Sequence, residues 1–113
     1  MYKLAIALVV PSLFESMCLP IGEAFYFGLP VACSNVCGLP EQLGEAALFF
    51  NPLDIEDMAE KILTVWTRED TRKTLVERGY AKAKEMTPEV FSQRWREVIE
   101  EALARMQEDG RWL

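Results

Sequence analysis

The sequence predicts an α/β fold, a partial parallel sheet of about three short strands followed by three helices. Three observations carry that prediction. Apolar runs at 4–10, 31–33 and 46–50 are separated by a loop-and-helix segment and then by a turn-rich loop, the alternation expected of strands joined by crossovers. Beyond position 52 the apolar residues recur at helical rather than alternating spacing. At 113 residues the chain is long enough for one core but not for two lobes. Residues 1–113 are therefore read as a single partial domain, with a sheet unit over 1–52 and a helical tail over 53–113.

Taken in order, positions 1–3 read as the tail of a helix or simply the start of the chain. The run 4–10 is too short to cross a bilayer and suits a buried strand near 6–10. Pro11 and Ser12 stop it, and Glu15 falls in the loop leaving its carboxyl end. Pro20 suits a first helical turn, where its missing N–H costs nothing. Glu23 stands on that turn or the next, and Gly28-Leu29-Pro30 closes the helix. The run 31–33 reads as the second strand, parallel to the first. Positions 34–44, SNVCGLPEQLG, are rich in turn formers and predict a loop with a short helical turn. Glu41 lies in that loop, as a group that holds it or as one that meets a ligand. The third strand is expected near 48–50, ended by Asn51-Pro52.

In the tail, Asp54 is an N-cap and Ile55, Met58, Ala59, Ile62, Leu63 and Trp66 form one apolar face. A second helix over 70–86 turns Leu75, Val76, Gly79, Tyr80 and Ala83 inward. Glycine inside a helix costs about 1 kcal/mol relative to alanine, so Gly79 implies close packing. Thr87-Pro88 is an N-cap with proline at the first helical position. The third helix carries Phe91, Trp95, Val98, Ile99, Ala102 and Met106 at helical spacing, read as core. Its other face is mixed charge and read as solvated.

Composition narrows the function classes. Half the residues are apolar and 27% charged, an ordinary globular balance. A net charge of −6 argues against nucleic acid as a partner, because phosphates need a basic face. No run approaches the length of a membrane span or a signal peptide. Three cysteines with no histidine make no zinc set and suit a reducing cytoplasm. Cys18, Cys33 and Cys37 are all read as small packing residues. Without histidine, nucleophile schemes that pair serine or cysteine with it are excluded. A three-strand sheet should also leave an apolar edge exposed, so a homo-oligomer through that edge, or marginal stability, is expected.

The chemistry concentrates at the carboxyl end of the first strand, the edge where open parallel sheets bind ligands. A helix starting near Pro20 offers free N–H groups and its positive dipole end, a ready phosphate site. Carboxylates such as Glu15 and Glu23 accept hydrogen bonds from sugar hydroxyls, often two at once. Two of them beside an anion site fit a nucleotide-sugar. By spacing alone they equally fit a solvated loop acid and an acid near a helix start that stabilises the dipole.

The run from Pro11 onward adds a resemblance. Pro11-Ser12, Glu15, Leu19-Pro20, Glu23-Ala24, Gly28, Pro30-Val31, Ser34-Asn35, Gly38 and Pro40-Glu41 stand in order, and Gly44 and Asn51-Pro52 follow. This pattern, with two glutamates eight apart, resembles the donor-binding segment of the family-4 retaining glycosyltransferases, which have the GT-B fold of two Rossmann-like lobes. It covers nearly the whole chain. One departure stands out: that family usually has Gly-Phe-Gly where this chain has Ser16-Met17-Cys18.

The resemblance implies a fragment of the nucleotide-sugar-binding lobe. Glu15 would contact the transferred sugar and act in catalysis, and Glu23 would hold the ribose. Backbone amides of Met17, Cys18 and Leu19 would face the diphosphate. It implies no metal and no cofactor beyond the donor itself, and an acceptor it does not identify. The intact enzyme would be cytoplasmic or peripheral at a membrane. The family's upstream Arg and Lys pair and its N-terminal acceptor lobe match nothing here, so the 113 residues alone should not turn over. A non-catalytic α/β interaction module and a sugar-nucleotide epimerase of GT-B architecture are the alternatives.

Overall fold

A computed structural model describes residues 1–110; the last three positions of the expected tail, 111–113, lie outside the described residues. Three strands, β1 (Leu8–Val10), β2 (Val31–Ser34) and β3 (Leu48–Phe50), form one sheet in the order β1-β2-β3. Both pairings are parallel, with Val9 beside Ala32 and Cys33 beside Phe49. The first connection is α1 (Leu19–Tyr26) and the second is α2 (Leu39–Leu43) with a 3-10 turn at Gly44–Ala46. Then come α3 (Ile55–Thr67), α4 (Glu69–Glu85) and α5 (Pro88–Glu108).

Strand β1 begins two residues later than predicted. The parallel register puts Leu8 opposite Val31, and the Leu8 amide still reaches the Pro30 carbonyl at 2.9 Å. Beyond Pro30 the partner chain turns into the end of α1, so Ile6 has no ladder to join and is exposed. Residues Tyr2–Leu4 form a 3-10 turn instead.

The helix ends follow the local chemistry. After α1, the Leu29 amide donates to the Ala24 carbonyl at 2.8 Å and the Gly28 amide to Phe25 at 3.2 Å. This is a Schellman closure, and it needs the left-handed φ of +69° that Gly28 adopts. Asp54 caps α3 by accepting from the Asp57 amide at 3.1 Å, and Thr87 caps α5 by accepting from Val90 at 3.3 Å. Asp57 in turn accepts from the Asn51 amide, and that bond holds its carboxyl below the usual carboxylate value.

Side chains from the sheet pack in two clusters. On one face Ile21, Ala24 and Phe25 of α1 meet Val31, Cys33, Leu39 and Leu43. On the other, Ala32 and Phe50 meet Val65 of α3 and Leu75 of α4. Helix α4 serves both clusters. Its Gly79 lies under the Phe25 ring, where an added Cβ would come within 2.9 Å of Phe25 Cδ1. The close packing expected of Gly79 is therefore present.

Three packing expectations need correction. In α3 the inner line is Val65, buried, with Met58 and Ile62 half-buried, while Ile55, Ala59, Leu63 and Trp66 are exposed. At 100° per residue the second set sits about a quarter-turn round the helix from the first. Apolar residues span both stripes, so periodicity alone could not tell the inner from the outer. In α4, Tyr80 is 47% exposed rather than inward. In α5 nothing is buried, and Phe91, Trp95, Val98 and Ile99 are all more than half exposed. Both faces of the sheet are already covered by α1, α3 and α4. Helix α5 runs clear of them, which draws the molecule out to 59 Å along its longest axis.

Candidate functional site

The carboxyl ends of the strands carry three loops that hold one another. Ser34, buried at the end of β2, donates to the Val10 carbonyl at 3.2 Å and clamps β1 where its loop departs. The Gln42 amide of α2 donates to the Ser16 carbonyl at 3.1 Å. Asn35 donates to the carbonyl of Phe50 at 2.9 Å. Residues 11–18 thus form a loop anchored at both its root and its crest.

Glu15 sits in this loop, half-buried, and its Oε1 accepts from Ser12 Oγ at 2.9 Å. That bond fixes one oxygen and leaves acceptor capacity on the other. Glu23 is exposed on the second turn of α1 and accepts from the Tyr2 hydroxyl at 2.6 Å. Cys18, the N-cap of α1, falls between the two in sequence. Burial raises its thiol pKa and the Glu15 charge raises it further, against the lowering effect of the Ile21 amide. The Tyr2 phenol is raised by its bond to Glu23 first, with Glu23 and Cys18 charges adding to it.

The Cys18 side chain makes no capping bond. Among the described residues, the amides of Met17, Cys18 and Leu19 donate to no protein acceptor. Pro20 at the start of α1 has none to give. The helix start therefore presents open donors and the positive dipole end, with Glu15 preceding it and Glu23 following it along the chain. Met17 and Leu19 expose most of their side chains. Glu41 is exposed in the first turn of α2.

The sequence left Tyr2, Phe27 and Gln42 out of the site. Ser12, three residues before Glu15, was a findable signal, because serine bonds readily to a group a turn away. The contacts of Tyr2 and Gln42 span 21 and 26 residues, and no local pattern announces them. Two clefts of about 440 and 540 Å³ run along α4, one against Glu45 and Phe49, the other against Ile6 and Gly28. Neither includes Glu15 or Glu23.

Residues 1–82 match the glycosyl transferases group 1 family. The chain belongs to that family. It is 39% identical over 87 residues to the O-antigen chain mannosyltransferase B of Escherichia coli, covering 77% of this chain and 23% of that one. It is 35% identical over 72 residues to the sulfoquinovosyl transferase SQD2 of Arabidopsis thaliana, over 59% of this chain and 14% of the relative. In structure it resembles sucrose-phosphate synthase from Thermosynechococcus elongatus, a GT-B enzyme, with a TM-score of 0.76 and 26% identity over 92% of this chain. That likeness spans 27% of the synthase. This group 1 chain thus spans under a third of each of these relatives, and its sheet and helices belong to the GT-B class. Neither the interaction module nor the epimerase finds support among them.

Cysteine behaviour follows from the same geometry. Cys33 is the packing residue expected: it is fully buried in β2, and burial pushes its thiol up to about 12. Cys18 is half-buried, whereas Cys37 is exposed at a left-handed φ of 52° and packs nothing. The turn into α2 places it there. Thiolate is the reactive form, so a thiol reagent should label Cys37 first, Cys18 more slowly and Cys33 only on unfolding. The unfolded chain releases the Cys33 proton near 9.0 and the folded chain only near 12. This contribution is complete below the unfolded value and is lost as pH climbs through that window. Thermal melts of the wild type should fall across it, and those of Cys33→Ala should fall less; parallel slopes would disprove the assignment.

Proposed function

We propose that this chain supplies the donor side of a retaining glycosyltransferase, one of the family-4 type, which takes its sugar from a nucleotide-sugar. What supports it is the open amides of Met17, Cys18 and Leu19 at the start of α1, with Glu15 in the loop just before them and Glu23 on the second turn just after. A diphosphate at those amides puts a neutral polyol against each carboxylate. Glu23, on the helix, receives the ribose; Glu15, in the loop, receives hydroxyls of the sugar being transferred. Amides and helix dipole meet the phosphate charge, so the reading needs no metal or other cofactor. Cys18 replaces the family's glycine at the helix start, and its side chain narrows the approach to the phosphate.

Stabilising the charge on the leaving diphosphate is the largest contribution to such transfer. The cationic groups for it, and the acceptor site, would come from the segment that precedes this one in the family. The 113 residues alone bind without turnover on this reading, and the complete enzyme acts on an acceptor in the cytoplasm or at a membrane surface. No described helix is long and apolar enough to cross a membrane. The exposed side of β1 and the stripe on α5 are where the preceding lobe or a second copy would add cover.

The test is equilibrium titration of the complete protein, with chelator present, against nucleotide-sugars, nucleoside diphosphates and nucleosides. Sugar donor and diphosphate should bind alike, and nucleosides at least tenfold more weakly, roughly the value of one or two charge-assisted hydrogen bonds. Equal binding of nucleoside and diphosphate would remove the helix start from the site. The anomeric configuration of the product, read by proton NMR, decides retention.

A further inference from the structure

The Glu23 carboxylate does not stand alone. Glu23 and Phe27 lie four residues apart on one outer stripe of α1, and the 3-10 turn Tyr2–Leu4 lays the Tyr2 side chain along both. The Tyr2 and Phe27 rings stack with centroids 5.7 Å apart and planes within 11°. The phenol then ends on Glu23 Oε2 at 2.6 Å, the ordinary distance for a hydroxyl donating to a charged acceptor. The stacking alone would tie the turn to the helix. What the hydroxyl adds is control of a carboxylate that is otherwise exposed and free to rotate.

We propose that Tyr2 is a positioning residue of the donor site, which holds Glu23 in the one orientation that receives the ribose diol. The inference rests on the reading of Glu23 as the ribose acceptor and adds to it. A carboxylate offers about four acceptor directions. Tyr2 takes one on Oε2, and among the described residues Oε1 accepts from nothing. Two adjacent hydroxyls of a ribose therefore find acceptors on both oxygens without displacing the phenol. The ordering cost of Glu23 is met in the free protein rather than on binding, the usual source of affinity from preorganisation. Phe27 closes the arrangement from below, since its position at the end of α1 is set by the Gly28 closure.

The experiment compares wild type, Tyr2→Phe and Glu23→Gln in the complete protein. The probes are the four common ribonucleoside diphosphates and their 2′-deoxy counterparts, titrated calorimetrically. Tyr2→Phe keeps the stacked ring and removes only the hydroxyl, so the melting temperature should stay where it is. Its affinity for the preferred ribonucleotide should fall about threefold to tenfold, the scale of one newly mobile side chain. Its preference for ribose over deoxyribose should narrow, a change that a purely structural strap would not produce. An unchanged preference, or tighter binding because Tyr2 competes with ribose, overturns the proposal while leaving Glu23 in its role. If Glu23→Gln also leaves both affinities untouched, the ribose assignment falls and this inference with it. A ligand-free measurement guards the contact itself. Ultraviolet titration should show one tyrosine ionising at lower pH in Glu23→Gln than in wild type, because the phenol then faces a neutral amide in place of the carboxylate that raises it. No difference there overturns the proposal as well.

Discussion

Phe25→Ala will remove most of the folding free energy of this chain. Phe25 is 1% exposed, on the inner side of α1, between the sheet and α4. Truncating a buried phenylalanine costs about 3–5 kcal/mol, the lost transfer energy plus the cavity that cannot collapse. Here collapse is obstructed. The ring rests on the backbone of Gly79, which has no side chain to follow it inward, and Ile21 and Ala24 are fixed in the same helix face. Domains are stable by only about 5–15 kcal/mol. This one leaves much of its apolar surface uncovered, on α5 and along α3, so its stability belongs at the low end of that range. Urea unfolding followed by circular dichroism should show the midpoint of Phe25→Ala close to zero denaturant. Phe25→Leu, which refills most of the volume, should lose much less. An unfolding free energy for Phe25→Ala within about 1 kcal/mol of wild type would show that α4 does not pack here as described.

The part of this architecture that was legible in the sequence was the part written in local chemistry. Proline at the start of α1, Gly28 at its end, Asp54 and Thr87 as caps and the apolar runs at β2 and β3 each act within a turn or a few residues. Gly79 was legible for a different reason: a glycine inside a helix is costly unless something needs the space, and Phe25 does. The exposure of α5 and the choice of inner stripe on α3 were not legible. A stripe such as Phe91, Trp95 and Ile99 reports that a helix wants a partner, not that the partner lies within reach. The same limit governs the site. Glu15 and Glu23 could be named from their spacing and from the run around them. Tyr2 lies in a segment without pattern, and its contact to Glu23 depends on where the chain returns after 21 residues.

The two glutamates should separate cleanly when each is cut back to alanine in the complete enzyme. If Glu23 holds the ribose, Glu23→Ala leaves two buried ribose hydroxyls without acceptors on binding, and strands the Tyr2 phenol. Hydrogen bonds to a charged group are worth roughly 1.5–3 kcal/mol, so donor affinity should fall about tenfold to a hundredfold. Nucleoside diphosphate contains the same ribose and should weaken by the same factor. Glu15 stands in the loop that precedes the helix, held by Ser12. Its partners on the proposed reading belong to the transferred sugar, which the diphosphate lacks. Glu15→Ala should therefore bind diphosphate like wild type, while the transfer rate falls far more than donor affinity does. That split is the mark of an interaction strengthened in the transition state. Titrating both variants with diphosphate and with intact donor, alongside single-turnover rates, measures every term. Equal losses for both ligands in Glu15→Ala, or no loss in Glu23→Ala, would return the first to a loop acid held by Ser12 and the second to an anchor for Tyr2.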